Sequence, residues 1–284
     1  METILAEHAG FCFGVRRAVD FVYELLEKGE KIYTYGPIIH NDEVVKELSE
    51  KGVKVIESLD EIKNLKDGTL VIRAHGIPRE VSELIKANEK IKCVDGTCPF
   101  VKRIHNIVEE HSDMGEQIVI IGNPAHPEVL GIKGWVNGPT FVVEKPEEAE
   151  NISLDKSLPV CIVSQTTFNY NKFKELVDII EKKGYNVNVV NTICNATKER
   201  QESAGEIASK VDVMLVIGGR SSSNTQKLYD ICREKCPNTY FIQTARDLCF
   251  DLPGTASLVG ITAGASTPNN IIEEVQKYVS RIEF

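Results

Sequence analysis

In the segment Ile91-Lys92-Cys93-Val94-Asp95-Gly96-Thr97-Cys98, a run of strand-forming residues leads within a few positions to a cysteine that opens a helical pattern. The same arrangement occurs twice more, with Thr3-Ile4-Leu5-Ala6 before Cys12 and Asn188-Val189-Val190 before Cys194. Other apolar runs of strand length alternate with helical stretches, at Gln117–Ile121, Val160–Val163, Val211–Ile217 and Leu258–Ile261. This alternation is typical of an α/β protein.

Polar residues recur at a fixed distance after each of these three cysteines. A position 28 residues further along follows the next strand each time and holds His40, His126 and Ser222. A third polar landmark follows another strand, at His75, Thr166 and Ser266. The repeat predicts three similar α/β domains, at residues 1–96, 97–191 and 192–284.

The landmarks should build a site. Ligands of parallel α/β sheets collect beyond the carboxyl ends of the strands, where all of these polar residues are expected. If a pseudo-threefold axis relates the domains, they form a trefoil around a central cluster and cavity, and the three cysteines converge there.

Composition narrows the function classes. The 284 residues carry 33 Lys and Arg against 42 Asp and Glu, a net charge of −9, which disfavours nucleic acid and anionic membranes as partners. The first ten residues lack a basic segment followed by an apolar one, so we expect no secretory signal, and no run of 18 apolar residues occurs. We therefore expect a cytoplasmic protein, in whose reducing compartment metal binding or catalysis explains a cysteine better than a disulfide does.

Three thiolates are one short of the four that close a tetrahedral zinc site or a fully Cys-ligated cubane. An iron-sulfur cluster held by three cysteines keeps one iron open, and that iron can bind a substrate oxygen while the cluster delivers electrons. The alternative is that these are buried core cysteines.

Cysteines outside the repeat are expected to be packing residues: Cys93, Cys161, Cys232, Cys236 and Cys249. His105 and His111 lie on a polar helical stretch and are expected at the solvated surface. In contrast, His40, His75 and His126 share repeat-equivalent loop positions, which favours a functional role.

The remaining loop residues offer hydroxyl and amide groups beside predicted helix N-termini: Thr166, Thr167, Ser222, Ser223, Asn224 and Ser266. Helix N-termini bind phosphate through free backbone N–H groups, so several of them could hold a diphosphate. Ordinary N-capping is the alternative for each residue. Glu128 is the one carboxylate beside a landmark; it could shuttle a proton to a substrate hydroxyl, or could be a first-turn glutamate favoured by the helix dipole.

Taken together, these motifs resemble the 4-hydroxy-3-methylbut-2-enyl diphosphate reductase family over the whole chain. The matching segments are Ala9-Gly10-Phe11-Cys12-Phe13-Gly14-Val15, Gly36-Pro37-Ile38-Ile39-His40-Asn41, Ala74-His75-Gly76, Thr97-Cys98-Pro99, His126-Pro127-Glu128-Val129, Gln165-Thr166-Thr167, Thr192-Ile193-Cys194-Asn195-Ala196-Thr197 and Thr262-Ala263-Gly264-Ala265-Ser266. The resemblance implies a 4Fe-4S cluster on Cys12, Cys98 and Cys194, and reductive dehydroxylation of an allylic diphosphate to isopentenyl and dimethylallyl diphosphate.

The resemblance also implies residue roles. His126 would bridge the diphosphate and the proton relay, and Glu128 with Thr166 would steer the proton to the departing oxygen. Other residues would hold the diphosphate: His40, His75, Thr167, Ser222, Ser223, Asn224 and Ser266. Reduced ferredoxin or flavodoxin would supply the electrons, because the sequence has no nicotinamide-binding fingerprint.

Two other hypotheses stay open at this point. One is a different open-iron enzyme of the quinolinate-synthase type with a carboxylate substrate, which should use an arginine fork; the landmark loops offer only Arg73 and Arg220. The other is a non-catalytic protein that uses the three cysteines to bind zinc or to sense redox state.

Overall fold

The computed structural model describes residues 1–248 and 256–281. Over this part of the chain, strands and helices alternate regularly and form three parallel sheets of four strands each. The prediction of an α/β protein with three similar parts is confirmed. Cys249, predicted to be a packing residue, lies outside the described residues.

Each repeat contributes four strands and four helical segments in the same order. The first comprises β1 (Glu2–Leu5), α1 (Phe13–Glu27), β2 (Ile32–Tyr35), α2 (Asp42–Glu50), β3 (Lys54–Ile56), α3 (Leu59–Asn64), β4 (Thr69–Ile72) and α4 (Arg79–Ala87). The second comprises β5 (Lys92–Asp95), α5 (Pro99–Asp113), β6 (Gln117–Ile121), α6 (Pro127–Lys133), β7 (Thr140–Val143), α7 (Pro146–Asn151), β8 (Val160–Ser164) and α8 (Tyr170–Glu181). The third comprises β9 (Val187–Val189), α9 (Asn195–Ala208), β10 (Val213–Ile217), α10 (Ser223–Lys235), β11 (Thr239–Ile242), a 3-10 turn (Ala245–Asp247), β12 (Leu258–Ala263) and α11 (Asn269–Ser280).

The strand that leads to each cysteine lies at the edge of a sheet. The strand orders are β3-β2-β4-β5, β7-β6-β8-β9 and β11-β10-β12-β1, so the three sheets share one topology. Each strand that leads to a cysteine pairs with the last strand of the preceding repeat. β1 accordingly joins the third sheet, with Glu2 opposite Leu258 and Leu5 opposite Ile261. The N-terminal strand thus belongs to the sheet that the C-terminal part of the chain builds.

The chain divides into two compact units. One consists of Met1–Arg16, Ile39–Glu47 and the chain from Asn195 onward, and contains the third sheet. The other consists of Arg17–Ile38 and Leu48–Cys194, and contains the first two sheets. The domain boundaries expected from the repeat stay a prediction.

The central strands are buried because helices cover both faces of each parallel sheet. In β10, Leu215 and Ile217 pack with apolar residues of α11 on one face. Met214 and Val216 pack on the other face with α9 and α10, and with Cys232 and Cys236. Cys161 is buried in the core around β6 and β8, so the packing role is confirmed for these three cysteines.

Three expectations about single residues are wrong. Cys93 is exposed rather than buried, because β5 is an edge strand whose first residues face solvent. His105 is only 4% exposed, because it lies on the buried stripe of α5, where its ring stacks on Trp135 at a centroid distance of 5.3 Å. Burial lowers the pKa of His105 to about 4, so the ring is neutral at pH 7. His111 is largely buried too, with Nδ1 2.8 Å from Glu116 Oε2.

Within the described residues, no helix combines the length and the apolar character that crossing a bilayer requires.

Gly264, after β12, is packed so closely that a Cβ atom would overlap the hydroxyl of Thr225, a fully buried residue of α10. We expect Gly264→Ala to lower the free energy of unfolding by about 1–3 kcal/mol through overpacking. The double variant with Thr225→Ala should recover most of this loss, since Thr225 Oγ1 makes no hydrogen bond among the described residues. Denaturant unfolding measures both changes. Gly138→Ala is the control, because nothing lies within 4 Å of its added Cβ; an equal loss there would contradict the packing argument.

Candidate active site

The three landmark cysteines occupy equivalent positions at helix starts. Cys12, Cys98 and Cys194 each directly precede the first residue of a helix, namely α1, α5 and α9. They form no disulfide among the described residues, and each is only partly buried. Each thiol therefore sits where a strand has ended and helix N–H groups begin.

One backbone hydrogen bond fixes each cysteine to the turn that follows the last strand of a repeat. The amide of Cys98 donates to Ala74 O at 3.0 Å, that of Cys194 to Thr166 O at 3.1 Å, and that of Cys12 to Ala265 O at 3.2 Å. We call the turns that contain these carbonyls, at residues 73–76, 165–168 and 264–267, the polar turns, because the residue after each carbonyl is a polar landmark or the neighbour of one. Each cysteine is thereby held beside the residues predicted to bind substrate.

The polar turns also correct the repeat register by one residue. Equivalent turn hydrogen bonds run from Gly76 N to Arg73 O, from Thr267 N to Gly264 O and from Phe168 N to Gln165 O. In this register the counterpart of His75 and Ser266 is Thr167. The interpretation of Thr166 as the third landmark is wrong by one position, because Thr166 and Thr167 are adjacent hydroxyl residues that spacing alone does not separate.

Glu128 is a buried carboxyl group held by Thr166. It lies in the first turn of α6 with 2% of its surface exposed, and its two oxygens accept hydrogen bonds from Thr166 N at 2.6 Å and Thr166 Oγ1 at 2.8 Å. Burial raises the pKa of Glu128 to about 7, even though both hydrogen bonds favour the charged form. The side chain thus reaches across to the next polar turn rather than only stabilising its own helix, and it can hold or release a proton near neutral pH.

His126 caps the same helix and has a defined tautomer when neutral. Its Nδ1 accepts a hydrogen bond of 3.1 Å from Glu128 N, so the ring proton of the neutral form is on Nε2. The ring makes an edge contact with His75 at a centroid distance of 5.5 Å. Thr167 Oγ1 accepts from Gln165 Nε2 at 2.9 Å in the neighbouring turn. All of these candidates lie in the compact unit formed by Arg17–Ile38 and Leu48–Cys194, which holds Cys98, Cys194, His75, His126, Glu128, Thr166 and Thr167.

The other compact unit holds Cys12. It also holds the remaining candidates, which lie around the start of α10. Ser222 is the N-cap of this helix, and its hydroxyl accepts a hydrogen bond from Thr225 N. Ser266 Oγ donates to His40 O at 2.9 Å and lies 3.5 Å from Ser222 Oγ. Ser223 is the first residue of the helix. The strand-to-helix loops after β2, β10 and β12 thus come together.

Asn224 is the clearest sign of a ligand in this unit. Its side chain is 4% exposed, yet neither its Oδ1 nor its Nδ2 has a hydrogen-bond partner among the described residues. A buried amide without partners is costly and uncommon in folded proteins. It lies in the first turn of a 13-residue helix, where a bound anion would satisfy it.

Two arginines that the sequence reasoning missed hold the segments before two of the cysteines. Arg17, five residues after Cys12, donates to Thr97 O at 3.0 Å and Asp95 O at 3.2 Å. Arg200, six residues after Cys194 and 4% exposed, donates to His8 O at 2.8 Å and Gly10 O at 2.6 Å. Their similar offsets after a cysteine were the available signal.

The fold defines a class of α/β protein with three repeated parallel sheets. The site adds a cysteine beside a polar turn in each repeat and a buried glutamate with a raised pKa in the second repeat. The family model described as LytB protein matches residues 3–280, and the chain belongs to this family.

Curated relatives and solved structures agree with this assignment. The chain is 46% identical over 285 residues to a 4-hydroxy-3-methylbut-2-enyl diphosphate reductase of Caldanaerobacter subterraneus, covering 100% of this chain and 98% of the relative. It is 43% identical to the Clostridioides difficile reductase of the same name, covering 99% and 100%. A solved (E)-4-hydroxy-3-methyl-but-2-enyl diphosphate reductase, described as the terminal enzyme of the non-mevalonate pathway, matches with a TM-score of 0.70 and 43% identity over 99% of this chain and 100% of that one. A Plasmodium falciparum reductase structure matches with a TM-score of 0.90 and 30% identity over 98% and 87%.

The raised pKa of Glu128 is directly measurable. We expect an infrared carboxylic-acid band that disappears with a midpoint near the value of about 7, because burial favours the neutral form up to that pH. The band should be absent from Glu128→Gln and retained in Glu110→Gln, which removes an exposed carboxyl group of α5. A midpoint near 4.5, the ordinary value for glutamate, would contradict the buried, neutral carboxyl group.

Proposed function

We propose that this chain catalyses the reductive dehydroxylation of (E)-4-hydroxy-3-methylbut-2-enyl diphosphate to isopentenyl and dimethylallyl diphosphate. The allylic C–O bond is replaced by a C–H bond, two electrons and two protons enter, and water leaves. The observation that carries the proposal is the contact of Glu128, buried with a near-neutral pKa, with Thr166, whose carbonyl receives the Cys194 amide. This contact supports a role for Glu128 as a proton source next to a proposed cluster ligand.

Cys12, Cys98 and Cys194 are the proposed ligands of a 4Fe-4S cluster. Their equivalent backbone bonds, their thiol chemistry and their partial exposure fit a donor set for iron-sulfur binding. When bound, such a cluster with one iron free of protein ligands supplies a Lewis acid and electrons at the same place. Arg17 and Arg200 donate to carbonyls of the segments that lead to Cys98 and Cys12, so they would help to position these thiols for a cluster.

The diphosphate is proposed to bind the side chains around the start of α10, together with the other residues that the family resemblance implies. Hydrogen bonds from Asn224 Nδ2 and the Ser222 hydroxyl would satisfy phosphate oxygens at a helix N-terminus. The Ser266 hydroxyl, which donates to His40 O, would turn to a phosphate oxygen when the diphosphate binds. The remaining proposed contacts come from His40, His75, His126, Thr167 and Ser223. His126, with its proton on Nε2, can donate to a phosphate oxygen while its Nδ1 keeps α6 capped.

The proton path runs through residues that touch each other. Glu128 carries a proton in part of the population near pH 7 and can give it to the leaving hydroxyl group. Thr166 donates to Glu128 through both its amide and its hydroxyl, which fixes the direction of the carboxyl group. Protonation turns a poor leaving group into water, and this lowers the barrier to C–O cleavage.

One feature bears on the carboxylate-substrate alternative. Arg73 lies against Gly36, with its guanidinium 6.0 Å from the centroid of the Tyr35 ring, and so packs on its own sheet. A small electron-carrier protein, reduced ferredoxin or flavodoxin, is the proposed donor, and the cytoplasm is the proposed compartment.

The cluster assignment predicts metal content. Anaerobically purified wild-type protein should hold about four iron and four sulfide per chain. Cys98→Ser should lose the intact cluster, while Cys93→Ser, which changes the exposed thiol of β5, should keep it. Iron and sulfide analysis with electronic spectra distinguishes the two variants. Full cluster content in Cys98→Ser, or one zinc in place of iron in the wild type, would refute the assignment.

The proton role predicts a selective loss of turnover. Glu128→Gln should keep near-normal iron but reduce the allylic diphosphate about 10²–10⁴-fold more slowly, because its amide cannot give up a proton. The assay is anaerobic reduction with dithionite-reduced dye and identification of products by mass. Glu110→Gln serves as the exposed control. Turnover at the wild-type rate in Glu128→Gln would exclude this residue as the proton donor.

A further inference from the structure

A positively charged surface borders Cys98 on an otherwise acidic protein. We call it the Cys98 face and define it by Arg17 of α1 and Pro99, Phe100, Lys102 and Arg103 at the start of α5. The two residues that flank Cys98 in sequence, Thr97 and Pro99, line a shallow depression of about 380 Å³ there, together with Arg17, Lys102 and Arg103. All of these residues belong to one compact unit.

The charge of this face is opposite to that of the whole chain. Three cations meet there, and the one carboxylate lining the depression, Asp95, is neutralised by Lys102 at 2.8 Å. The chain as a whole carries a net charge of −9. A local cationic area on an anionic protein attracts acidic partners and orients them, with an effect that salt weakens.

The face also has an apolar contact residue. Phe100 is 44% exposed, lies two residues after Cys98 and shares a helix face with Arg103 one turn later. Exposed aromatic rings bordered by arginine are typical of the energetically important centre of a protein interface.

The repeat gives an independent reason to single out Arg103. Arg17 and Arg103 both lie five residues after a cysteine, and Arg200 lies six residues after the third. Arg17 and Arg200 donate to backbone carbonyls, whereas Arg103 is exposed and makes no ion pair or side-chain hydrogen bond within the part of the chain that the structure describes. The second repeat thus leaves its arginine available to a partner.

We infer that the Cys98 face is the docking surface for a small acidic electron-carrier protein of the ferredoxin type; this rests on the proposed function. A carrier seated there would lie next to Cys98, which is itself only partly buried. Each docked carrier is oxidised by one electron and leaves, and two such visits supply the two electrons that one turnover consumes with two protons.

The test compares two substitutions with the same change of charge in the holoenzyme. Arg103→Glu alters the Cys98 face, and Lys172→Glu alters an exposed lysine of α8. Binding of oxidised ferredoxin is measured by calorimetry at several salt concentrations, and turnover is measured with reduced ferredoxin and, separately, with dithionite-reduced dye.

We expect Arg103→Glu to weaken ferredoxin binding about tenfold or more and to flatten its salt dependence, because a cation at the interface becomes an anion. Phe100→Ala should weaken binding about five- to tenfold. The dye-driven rates of both variants should equal that of the wild type. Lys172→Glu should bind ferredoxin like the wild type.

Three results would overturn the docking surface: wild-type ferredoxin affinity in Arg103→Glu, an equal loss in Lys172→Glu, or a wild-type dimer that dissociates on Arg103→Glu and so uses the face for a second copy. Absence of dye-driven reduction in the wild-type holoenzyme would instead overturn the proposed function, while the ferredoxin affinities still decide the docking surface.

Discussion

A single type of hydrogen bond, from a cysteine amide to the carbonyl of a polar turn, organises all three repeats. The strand that leads to each cysteine runs beside the last strand of the previous repeat. The hydrogen bond lies just beyond the point where both strands end. The bond therefore ties the thiol to the neighbouring loop without using the thiol itself. In each repeat, backbone geometry alone holds a cysteine beside a polar turn, and the bond does not use the side chain of either.

Burial shifts the pKa values of two groups of the second repeat, Glu128 and His105, in opposite directions. Burial raises the pKa of Glu128 to about 7, so the carboxyl group is partly protonated near pH 7, whereas burial lowers the pKa of His105 to about 4, so the ring is neutral there. The imidazole of His105 packs against Gly76 in the turn of His75, at a spacing that leaves no room for a Cβ atom. Near pH 7, Glu128 can therefore hold or release a proton, whereas His105 packs behind the turn as an uncharged ring.

The sequence was most informative where local pattern and spacing coincide. The strands at Gln117–Ile121 and Val160–Val163, the cysteines at helix starts and the family assignment are confirmed, because apolar runs and strand-to-helix changes are local. Features that depend on distant partners were missed. The pairing of β1 with β12, the carbonyl contacts of Arg200 and the burial of His105 all involve residues far along the chain or on a helix with mixed polarity. Adjacent threonines likewise concealed the register, and the roles of the site residues stay predictions.

The pairing of β1 with β12 has a consequence for biosynthesis. Cys12 lies in the first repeat, but the carbonyl that receives its amide belongs to Ala265, in the third repeat. Until Ala265 has been synthesised, the amide of Cys12 lacks its native acceptor, whereas Ala74 and Thr166 precede Cys98 and Cys194 in the nascent chain. A nascent chain stalled before Ala265 would hold Cys98 and Cys194 by their native backbone bonds and leave the backbone of Cys12 unanchored, so this position is completed only once the third repeat has been made.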